Sequence, residues 1–143
     1  MLGRNHVGQL GDGSVLQRLT PAGVATLTSG VTSLRAGSYH NCVVRDTGAL
    51  LCWGYNANYQ LGNGTVANSL LPIAASNVSG TIRQLALGGE GSCVVLDDGE
   101  GLCWGANTQG RFGNGSLATP LAIPQAVAQW LQHDLIFRSR FDP

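Results

Sequence analysis

The chain has 143 residues, enough for one domain with a real core, and its 43% apolar content excludes a disordered polypeptide. Only 11% of residues are charged, and eight basic residues balance eight acidic ones. All eight bases are arginines, scattered from Arg4 to Arg140 without a cluster, which argues against nucleic acid and against an anionic membrane as partners.

No run of about 18 apolar residues is present, so a transmembrane helix is excluded. The opening Met1-Leu2-Gly3-Arg4-Asn5 lacks the apolar core of a secretory signal, which alone suggests a cytoplasmic protein. Glycine occurs 21 times without a collagen period, which implies many tight turns.

In chain order, a turn-rich segment from Gly3 to Gly13 comes first. Short apolar stretches bounded by Gly, Asp and Asn follow at Leu34 to Ala36, His40 to Arg45 and Ala49 to Trp53, and predict strands. After the turn at Leu61-Gly62-Asn63-Gly64 a further strand is expected from Leu70 to Ala75.

The same series then recurs. Gly54-Tyr55-Asn56 through Gly62-Asn63-Gly64 reappears as Gly105-Ala106-Asn107 through Gly113-Asn114-Gly115, and it also matches Gly3-Arg4-Asn5 through Gly11-Asp12-Gly13. Both offsets are 51 residues. Between residues 37–65 and 88–116, 14 of 29 positions are identical, too many for chance. About four short strands per unit is the economy of a propeller blade, which covers its faces against neighbouring blades.

At these residues the chain resembles the regulator-of-chromosome-condensation (RCC-type) repeat family. The resemblance rests on Asp46-Thr47-Gly48, Trp53-Gly54 and Asn56 through Gly64, and again on Asp97-Asp98-Gly99, Trp104-Gly105 and Asn107 through Gly115. It implies an all-β fold, an open arc of two complete blades plus a part of an RCC-type β-propeller. Family members are typically seven-bladed, so a full ring needs about 350 residues. Residues 1–36 read as a partial unit, 37–87 as a unit, 88–125 as a partial unit and 126–143 as a non-repeat tail. The departures from the pattern are Asn58 and Tyr59, Gly91 in place of His40, and Leu2 in place of the Trp at 53 and 104.

Each unit carries two cysteines ten positions apart, Cys42 and Cys52, then Cys93 and Cys103. A three-residue hairpin loop at Asp46-Thr47-Gly48 pairs Arg45 with Ala49, Val44 with Leu50, Val43 with Leu51 and Cys42 with Cys52. The same register about Asp98 pairs Cys93 with Cys103. Opposed residues on antiparallel strands come close enough for a disulfide, and one bridge per blade implies an oxidising compartment. The alternative is four reduced cysteines buried as small hydrophobes. Zinc ligation finds no paired Cys-x-x-Cys.

The remaining signals have structural explanations. Gly11, Gly13, Gly62, Gly64, Gly113 and Gly115 read as repeat-turn glycines, and Trp53 and Trp104 as blade-packing residues. His40 and Cys42 share a strand face, but a histidine packed against the next blade is the better reading than a nucleophile and base. Asp97, Asp98 and Glu100 belong to a turn. The glycosylation triplets at Asn63, Asn77 and Asn114 carry little information, since two are the Asn-Gly turn of the repeat. In the tail, Val127, Trp130, Leu131 and Leu135 form an amphipathic stripe and predict a short C-terminal helix, either a cap on the last blade or sequence outside the native fold.

The expected function is protein binding through propeller loops, without a catalytic site, cofactor or metal. Guanine-nucleotide exchange or regulation of a small GTPase is the alternative that the resemblance implies, and a proteinaceous enzyme inhibitor is another. Exposed end blades are expected to promote self-association. The cysteine pairs favour an extracellular or cell-surface setting over a cytoplasmic one.

Overall fold

The computed structural model describes residues 1–115 and 120–127. They form two four-stranded antiparallel sheets. The first contains β1 (Val31–Ala36), β2 (His40–Arg45), β3 (Leu50–Gly54) and β4 (Ser69–Ala74), in that spatial order. The second contains β5 (Ile82–Leu87), β6 (Gly91–Leu96), β7 (Gly101–Gly105) and β8 (Leu121–Ala126), again in order. This up-and-down order is that of a propeller blade.

The two sheets are copies in register, not only in sequence. β2 pairs with β3 so that Val44 faces Leu50, Val43 faces Leu51 and Cys42 faces Cys52. The amide of Arg45 donates to the carbonyl of Ala49, closing the loop with Gly48 at φ 86. β6 and β7 repeat the arrangement, with Val94 opposite Leu102 and Cys93 opposite Cys103. Even the irregularities recur: a register shift between Val31 and Ser33 returns between Ile82 and Gln84.

A second shared irregularity explains the Trp-Gly dipeptide. Register breaks between Cys52 and Gly54, and between Cys103 and Gly105. Gly54 has φ 106, and a Cβ there would lie 2.6 Å from the carbonyl oxygen of Tyr39. Only glycine tolerates both the angle and the approach, which lets the amide of Tyr55 donate to that carbonyl at 2.9 Å.

The sheets are out of phase with the repeat units. The unit 37–87 contains β2, β3 and β4 of one sheet and then β5 of the next. One sequence period therefore straddles two blades, and covalent continuity ties neighbours together. Residues 1–30 follow the same plan: the isolated bridge between Gly3 and Arg18 stands where Gly54 pairs with Ser69. They supply the end of a third strand and the start of a fourth.

A hydrophobic core lies between the two sheets. Cys42, Val44, Leu50, Cys52 and Leu61 meet Leu85, Val94, Leu96, Leu102, Trp104 and Leu121 there. β2 is buried along nearly its whole length, whereas β1 is mostly exposed. β8 extends through Ala126, and the amide of Val127 donates to the carbonyl of Gly101. The fourth strand thus runs past residue 125, where the repeat was expected to end. The rest of the expected helical stripe, Trp130, Leu131 and Leu135, lies outside the described residues.

Candidate protein-interaction rim

The residues that recur in the sequence build the joint between blades. The indole N–H of Trp104 donates to the main-chain carbonyl of Gln60 at 2.7 Å, and that of Trp53 donates to the carbonyl of Gln9 at 2.9 Å. Both indoles are fully buried. Each ring lies against a left-handed glycine of the preceding loop, Trp104 on Gly62 and Trp53 on Gly11. The other turn glycines, Gly13, Gly64, Gly113 and Gly115, also have positive φ.

Cys42 and Cys52 are disulfide-bonded with their Cα atoms 4.1 Å apart, as are Cys93 and Cys103 at the same separation. Cys42 is therefore not a thiol nucleophile. His40 is fully buried, and its Nε2 lies 2.8 Å from Ser92 Oγ of the next sheet. Ser92 Oγ also donates to the carbonyl of Gln60 at 2.9 Å. That spends the only hydroxyl proton, so Ser92 accepts from His40 Nε2–H, and Ser92 has no proton to give the ring. Burial lowers the His40 pKa to about 4, which keeps the ring neutral. This pair joins blades and does not form a nucleophile–base dyad.

Three asparagines that the sequence reading gave no role hold the loops in shape. Asn5, Asn56 and Asn107 occupy the same register and are essentially inaccessible. Asn56 Oδ1 accepts from the amide of Leu61 at 2.9 Å, and its Nδ2 donates to the carbonyls of Thr65 and Ala67. Asn5 does the same for Leu10, Ser14 and Leu16, and Asn107 accepts from Phe112. Their recurrence at intervals of 51 was the available signal. In the first loop, the Ser14 hydroxyl, with the Arg18 guanidinium, also holds Asp12 down to about 2.

With the loops fixed, the non-recurring residues gather on one edge. The turns at residues 37–39 and 88–90 and the loops beginning at residues 4, 55 and 106 share one end of the sheets. The hairpins at Asp46-Thr47-Gly48 and Asp97-Asp98-Gly99 occupy the other. On the first rim, the rings of His6 and Tyr39 meet edge to face at 6.3 Å, and Tyr39 meets Tyr55 at 6.2 Å. They line an open cleft of about 600 Å³ with Arg4, Glu90 and Arg111. Tyr39 remains 43% exposed at the centre of this row of rings. The cleft spans three successive repeats, and the sequence reading named none of its aromatic residues as a site.

Comparison with known proteins identifies relatives for this architecture. A family model for the regulator of chromosome condensation (RCC1) repeat matches residues 1–44 and 47–95, and a second of the same description matches 31–60. The chain is 34% identical over 118 residues to the RCC1 domain-containing protein RUG3, mitochondrial, of Arabidopsis thaliana, covering 82% of this chain and 26% of that protein. It is 34% identical over 116 residues to the X-linked retinitis pigmentosa GTPase regulator of Mus musculus, covering 79% of this chain and 12% of that one. The fold resembles that of Prp20p from Saccharomyces cerevisiae, described with its binding to Gsp1p and histones. The TM-score is 0.72 at 20% identity, over 91% of this chain and 34% of that one. The chain thus spans about a quarter or less of these sequence relatives and a third of the solved structure.

Proposed function

This chain belongs to the regulator of chromosome condensation (RCC1) repeat family, and on that premise we propose that it is a protein-binding segment of a β-propeller whose partner docks on the rim of His6, Tyr39 and Tyr55. The observation that carries this reading is the row of three rings, exposed His6 and Tyr39 and half-buried Tyr55, in which Tyr39 touches both others beside two arginines. Tyrosine and arginine are among the residues that most often anchor protein interfaces: a tyrosine ring buries large area at low entropic cost, and an arginine fork supplies several donors in fixed geometry. The recurring residues maintain the scaffold, and the variable ones face the partner.

Peptide-library selection against the chain tests the reading. Selected binders should lose affinity about tenfold or more on Tyr39→Ala or Tyr55→Ala, as expected for anchor residues. They should be indifferent to Asp98→Ala on the opposite rim. Binders that depend on Asp98 and ignore both tyrosines would overturn it.

Regulation of a small GTPase is a second reading, favoured by the identity to the GTPase regulator. Faster release of fluorescent GDP from a small GTPase in the presence of the chain would support it. The two disulfides also favour a secreted or surface setting. Thiol titration of denatured protein taken from its source should find no free cysteine, and four free thiols would place it in the cytoplasm.

A further inference from the structure

We infer that the segment received by this rim is an extended acidic peptide, an inference that rests on the protein-binding reading above.

Charge is sorted between the two ends of the sheets although the whole chain is neutral. The hairpin end carries four acids, Asp46, Asp97, Asp98 and Glu100, against two bases, Arg45 at the end of β2 and Arg83 at the start of β5. The cleft at the other end carries Arg4 and Arg111 against one acid, Glu90. A partner meeting the cleft therefore faces positive charge, with the compensating negative charge a full strand length away.

The hydrogen-bonding groups left over in the cleft are chiefly donors. The Arg4 guanidinium is exposed and has no hydrogen bond or ion pair among the described residues. The hydroxyls of Tyr39 and Tyr55 likewise make no hydrogen bond among the described residues. Arg111 donates from Nε and Nη2 to Thr108 and meets Glu90 through Nη1 at 3.9 Å, with both side chains of that pair about half exposed. An ion pair that long and that wet contributes little and is readily exchanged for an incoming carboxylate. Guanidinium and phenol groups both bind carboxylates through charge-assisted bonds. The rings of Tyr39, Tyr55 and His6 add apolar faces for the aliphatic stems of Glu or for an interspersed aromatic residue.

The geometry favours an extended strand of peptide over a compact ligand. The cleft is open and its lining comes from three successive repeats, so a bound segment is contacted by loops of each. Two arginines are too few to follow a nucleic-acid backbone, whose affinity grows with each neutralised phosphate.

Fluorescence anisotropy with three labelled probes tests this directly. The probes are a Glu/Asp-rich peptide carrying one Tyr, the same peptide with Lys at each acidic position, and a single-stranded oligonucleotide of equal length. The acidic peptide should bind, and added salt should weaken it. The Arg4→Ala/Arg111→Ala chain should bind it about tenfold more weakly, or worse, because two cationic partners are lost, and Tyr39→Phe/Tyr55→Phe several-fold more weakly, because only two hydroxyl donors are lost. Arg83→Ala should leave binding unchanged. All these side chains except Tyr55 are exposed, and far-ultraviolet circular dichroism with free-thiol counting checks that each variant retains its fold.

No binding of the acidic peptide, tighter binding of the Lys peptide, or binding unaffected by Arg4→Ala/Arg111→Ala would overturn the inference. In those cases rim-dependent library binders would still uphold the protein-binding reading. An oligonucleotide that binds at least as tightly through the same arginines would overturn it in favour of nucleic acid. Library binders that ignore the tyrosines would remove both readings together.

Discussion

Gln60 and Trp104, 44 positions apart in sequence, join the two blades: the Gln60 carbonyl accepts the Trp104 indole N–H at 2.7 Å inside the core. The Ser92 hydroxyl donates to the same oxygen, so the carbonyl is fully used. Trp104→Phe keeps most of the ring but removes one donor, and it should cost roughly 1–2 kcal/mol. Trp104→Ala should cost about 3–5 kcal/mol through the cavity it leaves. Urea unfolding of both variants checks the ordering, and a Phe variant as stable as the parent would show that the indole bond contributes nothing.

Gly62 and Gly113 share their backbone angle but not their surroundings. Their φ values are 68° and 65°. A Cβ on Gly62 would lie 2.7 Å from Trp104 Nε1, whereas nothing lies within 4 Å of one on Gly113. Gly113→Ala should therefore cost only the left-handed strain, about 1 kcal/mol. Gly62→Ala should cost clearly more, because it also displaces the indole. Equal losses in urea unfolding would contradict the packing argument.

Each disulfide closes a hairpin between residues ten apart. On chain-entropy grounds, losing one bridge should cost about 2–3 kcal/mol. Cys42→Ser/Cys52→Ser and Cys93→Ser/Cys103→Ser should each lower the urea midpoint, and reducing agent should lower that of the parent but not of a chain lacking both bridges. A parent chain indifferent to reductant would contradict this.

His40 sets an acid limit on stability. Its folded pKa of about 4 lies below the ordinary 6.5 because burial opposes the imidazolium. As pH falls through 6.5 the unfolded chain takes up a proton that the folded chain refuses until about 4. The contribution is thus fully present above 6.5 and is lost between 6.5 and about 4, amounting to roughly 3 kcal/mol. His40→Gln retains a donor toward Ser92 and should flatten that part of the profile. Identical pH dependence in parent and variant would rule out His40 as its source.

The repeat made the scaffold legible and hid the proposed rim, for one physical reason. Cys42, Cys52, Trp53 and Gly54 recur because every blade must solve the same packing problem, so comparing units exposes strands, turns and hairpin register. Asn56 recurs too, and that recurrence marks it as part of the scaffold, but residue type alone does not tell a buried loop asparagine from a solvated turn residue. Tyr39 and Tyr55 fall opposite Glu90 and Ala106 in the next unit, so comparison between units treats them as noise. Gly91, where the first sheet has His40, is explained only in three dimensions: a Cβ there would lie 2.7 Å from Phe112 Cζ, so the Phe112 ring crowds the space a side chain would need.

Hydrogen–deuterium exchange of the chain with and without a library-selected peptide tests the central claim most directly, because it locates the partner without altering a residue. Protection is predicted at residues 37–39, 55–59 and 88–90, with the hairpins at residues 46–49 and 97–100 unchanged. Protection confined to those hairpins, with the Tyr39 and Tyr55 segments exchanging as in the free chain, would contradict it.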